Sequence, residues 1–260
     1  MINLKTTEEI EIMWEGGKIL RRIADEVAGA AAIGVSLKEL DFLAKSKMIK
    51  AGGQPAFLNY RPAGAKKPYP ASICASINEV IVHGLPTSYQ LKNGDLLKID
   101  LGLIYKDFYT DIALTIGVGN ISKIASQLIS VTKKALDLAI KQCYSGKHLG
   151  DIGFAVSKFV KKNGFSAARG LTGHGIGRQL HEDPNVFNDG QSGKGIKLEP
   201  GLVIAIEPMI SAGGPEIVQL TDESYAMKDG SLSAHFEDTV AITEGEPLVL
   251  TRYQSGIPPN

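Results

Sequence analysis

Histidines and carboxylates mark where this chain could do chemistry. The stretch "LTGHGIGRQLHEDP", residues 171–184, sets His174 between Gly173 and Gly175 and places His181 seven positions later, beside Glu182 and Asp183. Glycines around a histidine also mark a tight turn, so the stretch alone does not decide. Four carboxylates narrow the choice. Asp100 and Asp111 interrupt "LLKIDLGLIYKDFYTDIALTIGV", Glu207 ends the run "LVIAI", and Glu237 adjoins "TVAIT". A solvated sheet face explains any one of them, but four in core-like strands require a counter-charge, because buried anions without partners are too costly to persist. The economical counter-ion is a metal. Asp100, Asp111, Glu207 and Glu237 supply oxygens and His174 one nitrogen, while Gly173 and Gly175 allow close backbone approach. Carboxylates outnumbering one imidazole, without thiolate, point to two hard to borderline divalent ions sharing ligands, a set suited to hydrolysis.

The elements that must position these groups follow from periodicity. A two-residue turn at Lys106 and Asp107 sets position 100 opposite 113 and 102 opposite 111, so Asp100 and Asp111 share a face as diagonal neighbours about 7–8 Å apart. Ile99, Leu101 and Leu103, continued by Ile112, Leu114 and Ile116, form the apolar face. Residues 201–210 and 235–243 each read as one further strand. Thr6 with Glu9 and Ser36 with Glu39 have the form of capping boxes, which predicts helices from there to about Ala32 and to the "AGG" at 51–53. The stretch 34–52 lies without a gap over 146–164, at an offset of 112 residues, and a helical segment again precedes it. The expected class is therefore α+β, two helix-helix-strand halves, roughly 1–118 and 119–250, in one domain with a cleft between them.

The 260 residues are 43% apolar and carry 28 basic against 28 acidic side chains, so no basic excess invites nucleic acid as a substrate. Cys74 and Cys143 are too few for a disulfide scaffold and read as reduced thiols of a cytoplasmic protein. Neither a signal peptide nor a membrane span is expected.

Taken together, "ASINEVIVHGLP" (75–86), "IDLGLIYKDFYTDIALT" (99–115), "GHGIGRQLHEDP" (173–184), "IAIEPMI" (204–210) and "SLSAHFEDTVAIT" (231–243) resemble the methionine aminopeptidases, in the family's order. No type 2 helical insertion is present, and the chain resembles the compact type 1 form. The resemblance implies the pita-bread fold around a dinuclear centre of Fe, Mn, Co or Zn, with the same five ligands. It implies that His83 contacts the substrate's first peptide nitrogen, that His181 contacts the scissile carbonyl or the tetrahedral intermediate, and that Glu207 shuttles a proton to the leaving amine. Phe57, Tyr60, Tyr69 and Cys74, with Leu180 and Tyr225, correspond to the methionine pocket. Asn78, Val80 and Ser233 correspond to a monovalent cation site. Residues 61–68, "RPAGAKKP", stand as an insertion at the cleft rim, and Asp238 replaces a histidine common in bacterial members.

The implied partners are nascent polypeptide N-termini, met by a monomer. Lysines 133, 134, 158, 161 and 162 offer a transient ribosome contact, although a solvated helix face accounts for them. Two alternatives share the pattern. A proline-directed aminopeptidase or prolidase has these five ligands but usually adds an N-terminal domain, and a non-catalytic pita-bread binding protein should have lost ligands.

Overall fold

The computed structural model describes residues 2–61 and 64–253. Four helices carry the outer layer: α1 Thr7–Ala30, α2 Leu37–Lys50, α3 Lys123–Ile140 and α4 Leu149–Lys162. Both expected capping boxes form, at Thr6 with Glu9 and at Ser36 with Glu39. The first helix stops at Ala30, short of the expected Ala32, where Ala31 leaves helical geometry.

The internal repeat survives in conformational detail. The bounds of α2 and α4 differ by the same 112 residues as the sequence offset. The glycines bracketing them occupy matching left-handed conformations, Gly34 and Gly146 at φ 90° and 88°, Gly52 and Gly164 both at 80°. A side chain at these φ values is strained, so glycine starts and stops both helices.

The helices cover one face of a nine-stranded antiparallel sheet. Strands Leu96–Tyr105 and Phe108–Gly117 form the expected hairpin, with Asp100 opposite Ala113, Gly102 opposite Asp111, and Lys106 and Asp107 both at positive φ. Two consecutive positive-φ residues are what a type I′ turn demands. Leu20, Ile23, Val27, Leu40 and Met48 from the helices join Ile99, Leu101, Leu103, Ile112 and Leu114 in the main core. Burial of that one face fixes the register, so the other face receives the aspartates.

Two expectations are corrected. Residues 201–210 are not one strand: Val203–Ile206 belongs to the large sheet, and Met209–Ser211 pairs in a second, three-stranded sheet. Residues 235–243 divide likewise, Ser233–His235 joining the small sheet and Glu237–Ala241 the large one. Pro208 cannot donate to a ladder, and the Phe236 N–H reaches its carbonyl at 3.4 Å, so both chains change sheet together. Glu207 and Glu237 lie at this crossing.

Asp238 points away from them. Buried at 2% exposure, it accepts Arg252 Nε at 2.6 Å and Thr251 Oγ1 at 2.8 Å. The lysines at 133, 134, 158, 161 and 162 are exposed, as a solvated helix face requires. The described part of the insertion is mostly exposed, and its base is closed by main-chain bonds from Asn59 to Tyr69 and from Tyr69 to Tyr60, both 2.8 Å.

Removing one partner of a buried ion pair strands the other charge. Arg252→Ala is expected to lower stability by about 3 kcal/mol in urea unfolding. Arg169→Ala, which breaks an exposed pair with Glu216, should change it by less than about 1 kcal/mol.

Candidate active site

Strand register assembles the site. Asp100, Ala113 and Glu237 form one row across three strands, and His174, Ala205 and Thr239 form another. Directly opposed residues share a face, and Asp111 lies two residues before Ala113, so all of these side chains project from the side opposite the helices. The alanines between the charged groups leave space for them. Thr239 anchors the Asp111 backbone, its hydroxyl accepting from the Asp111 N–H at 2.9 Å and donating to the Asp111 carbonyl at 2.8 Å.

The glycines around His174 are required by close approach. A Cβ at Gly173 would lie 2.3 Å from the Ala205 carbonyl oxygen, and one at Gly175 would lie 2.1 Å from that of Asp183. The His174 Nδ1 lies 2.8 Å from the Gly175 carbonyl, which holds the proton on that nitrogen and leaves Nε2 free to ligate. That Nε2 stands 3.7 Å from Glu207 Oε1.

Asp100, Asp111 and Glu237 are buried, and among the described residues none has an arginine or lysine partner. Asp100 Oδ1 and Glu237 Oε1 have no hydrogen-bond partner at all. Lys98, two residues before Asp100, is the nearest cation in the strand, yet its Nζ turns to the Asn78 carbonyl at 2.6 Å. Desolvation raises Asp100 and Glu207 to about 7, with Glu207 adding to the first and His174 opposing it in the second. Burial drives Asp111 and Glu237 well above the ordinary carboxylate range, reinforced by neighbouring carboxylates. Such a group of orphaned oxygens around one imidazole fits a divalent metal. Ligand atoms of Asp111, His174 and Glu237 converge within 4.8 Å of one another, as do those of Glu207, His235 and Glu237. Asp100 stands outside both clusters but interacts with Asp111 side chain to side chain.

A cavity of about 780 Å³ opens over these groups. Its first wall is Phe57, Tyr60, Tyr69, Cys74 and Leu180, with the Phe57 and Tyr69 rings edge to face at 6.5 Å. Gly102 makes room for it, since a Cβ there would meet Phe57 Cε1 at 2.8 Å. The Tyr69 hydroxyl donates to the carbonyls of Ile73 and Gly84, both at 3.0 Å, which leaves the ring as the wall. Burial raises the Cys74 thiol, so it remains a neutral, soft surface. Tyr225, grouped in the sequence with these liners, stands instead beside His83, ring centroids 5.8 Å apart, in a second wall with Val82, Leu171 and Met209.

His83 and His181 both line the cavity. His83 takes a left-handed conformation, φ 60°, that swings its ring inward from the end of strand Val80–Val82. His181 packs against His174 at 4.3 Å and meets the Tyr60 hydroxyl through Nδ1 at 2.8 Å. Surrounding protein lowers the pKa of both, with His235 acting on the first and His174 on the second. Since both rings are open to the cavity, water screens part of that shift.

Sequence reasoning missed His235. It is buried, its Nε2 lies 3.3 Å from Glu207 Oε2, and neither ring nitrogen has a hydrogen bond. The signal was its position two residues before Glu237, the spacing of one strand face. Val82, Leu171 and Met209 gave no comparable signal, because three distant segments bring them together.

Comparisons with known proteins agree with this geometry. Residues 11–244 match the metallopeptidase family M24. The methionine aminopeptidase of Clostridium perfringens is 41% identical over 96% of this chain and 99% of its own, and methionine aminopeptidase 1 of Bacillus subtilis is 40% identical over 97% and 100%. The crystal structure of the Thermotoga maritima methionine aminopeptidase superposes with a TM-score of 0.92 at 37% identity, covering 97% of this chain and 100% of that one. A Bacillus anthracis Xaa-Pro dipeptidase shares the fold alone, at TM-score 0.77 and 22% identity, and this chain covers 62% of it. The pita-bread fold, the buried carboxylate-rich site and the full-length likeness place the chain in metallopeptidase family M24, among its methionine aminopeptidases.

Proposed function

We propose that Asp100, Asp111, His174, Glu207 and Glu237 hold two divalent metal ions and that the site removes the N-terminal methionine from polypeptides whose second residue is small. The observation that carries this reading is one cavity in which uncompensated buried carboxylates meet an aromatic and thiol-lined slot. Asp100 and Asp111 come from the first half of the chain and the other ligands from the second, so the halves act as one catalytic domain. Cys74 and Cys143, buried and unpaired, suit a reducing compartment such as the cytoplasm.

Held by these five residues, a divalent metal would supply Lewis acidity toward a carbonyl and a lowered pKa for water. Glu207 takes a proton from the attacking water and passes it to the leaving amine. With the Tyr60 hydroxyl, 2.8 Å away, donating to His181 Nδ1, the proton would sit on Nε2 to meet the developing oxyanion. The flexible methionine thioether fills the slot of Phe57, Tyr69, Cys74 and Leu180. His83 borders the path of the next peptide unit.

Metal linkage gives a pH test. Asp100 and Glu207 titrate near 7 when folded against ordinary values of 3.8 and 4.5, so the stability they add to the metal-free protein is present below those values and lost as pH rises through 7. Metal displaces these protons. The gain in Tm on adding Mn or Co should therefore be small near pH 5 and large near pH 8; a gain independent of pH would contradict the ligand assignment.

Glu207→Gln is expected to abolish turnover nearly completely, whereas His181→Ala should lower kcat with metal content retained. Tyr60→Phe should cost roughly tenfold in kcat alone and nothing further in the His181→Ala background. Additive losses in that double variant would separate Tyr60 from His181.

Substrate series test the slot. Met-Ala and Met-Gly peptides should be cut, Met-Leu and Met-Lys poorly, and norleucine in place of methionine should cost only about 1–3 kcal/mol in kcat/KM. Preference for Xaa-Pro bonds would indicate a proline-directed enzyme, and no turnover at full metal occupancy a binding protein.

A further inference from the structure

Lys98 is sealed from solvent at 1% exposure, within strand Leu96–Tyr105, and donates from Nζ to the Asn78 carbonyl at 2.6 Å. That oxygen also receives the Ser233 hydroxyl at 2.9 Å and the Ser233 N–H at 3.0 Å. Asn78, Val80 and Ser233 are the positions at which the resemblance implies a monovalent cation. A carbonyl oxygen offers two lone pairs, and three donors already converge on this one. A cation coordinated here would compete for a saturated acceptor and lie beside a buried ammonium of like charge. The residues present do not fit a bound monovalent ion.

We propose that Lys98 is a tethered replacement for that ion, and that the enzyme's stability and activity are independent of sodium and potassium. The Lys98 side chain ties its own strand to the Asn78 turn, and the Ser233 segment joins them at the same carbonyl, an approach that a free cation would otherwise secure. Asn78 sits in the left-handed turn, φ 53°, between strands Ile73–Ile77 and Val80–Val82, and the second of these runs directly into His83. The Asn78 side chain is fastened in turn, accepting the Leu96 N–H at 2.9 Å and donating to Asp95 Oδ1 at 3.1 Å. Strand Val80–Val82 pairs with Tyr225–Met227, so the turn that Lys98 holds leads directly into the strand that carries His83 to its place beside Tyr225. Lys98 is thus a positioning residue, supplying internally the partner that a bound cation would give to the Asn78 carbonyl. The inference holds whichever divalent metal the five ligands accept.

The test exchanges monovalent cations at constant ionic strength. Wild-type protein, metal-free and separately loaded with Mn, should show the same Tm within about 1 °C, and the same kcat/KM, in sodium, potassium or tetramethylammonium chloride. Lys98→Ala should melt lower and raise KM, and sodium or potassium, but not tetramethylammonium, should restore its Tm saturably by about 3 °C or more. A sodium-23 NMR titration of the wild type should show no saturable line broadening, and that arm stands even if the variant does not fold. Saturable stabilisation or broadening with the wild type would overturn the proposal. A folded Lys98→Ala protein indifferent to cation identity would do the same.

Discussion

Uncompensated negative charge on one dry sheet face is the constraint around which this molecule is built. Elsewhere the chain pairs its buried carboxylates: Asp238 with Arg252, Glu182 with Lys5, and Asp95 with the Asn78 amide, the Tyr89 hydroxyl and the Lys92 N–H. Asp100, Asp111 and Glu237 receive no such cation, although Lys98 stands on the same strand as Asp100. A chain that can satisfy buried acids, and leaves one group unsatisfied, reserves that group for an external cation. Unpaired burial at this scale is otherwise too costly to retain.

The surrounding architecture follows from keeping that face dry yet reachable. Ala113 separates Asp100 from Glu237 and Ala205 separates His174 from Thr239, and glycines at 173 and 175 let neighbouring backbones close to van der Waals contact. Crossing from the large sheet to the small one at Glu207–Pro208 frees Glu207 from ladder geometry, while the crossing at Phe236 leaves Glu237 at the start of its strand, opposite Ala113. The small sheet then supplies His235 and Met209 to the site.

Much of this was legible in the sequence for specific reasons. The register of the 96–117 hairpin follows from period-two alternation and a turn that admits only two residues, and the helix pairs follow from caps and glycines repeated at one offset. The sheet crossing was not read, because "GLVIAIEPMI" and "HFEDTVAIT" stay strand-like on both sides of the break; Pro208 marks a place where a ladder must stop, but only packing shows that the chain passes to another sheet. His235 was visible as a same-face neighbour of Glu237 but reads equally well as a core histidine. The second cavity wall depends on tertiary contact among segments near 82, 171, 209 and 225. The family resemblance carried what periodicity could not, above all His83 and the first wall.

Recognition and chemistry are joined through Tyr60. Its ring belongs to the first cavity wall, its hydroxyl meets His181, and its main-chain carbonyl closes the base of the 61–68 segment by accepting from Tyr69. The Asn59–Tyr69 and Tyr69–Tyr60 bonds fix the ends of this segment, and its described residues are mostly exposed, so changes among them leave the wall in place. A displacement of Tyr60 is different in kind. It would change the first wall and the hydrogen bond to His181 together, and the two main-chain bonds at the loop base hold Tyr60 against such a shift.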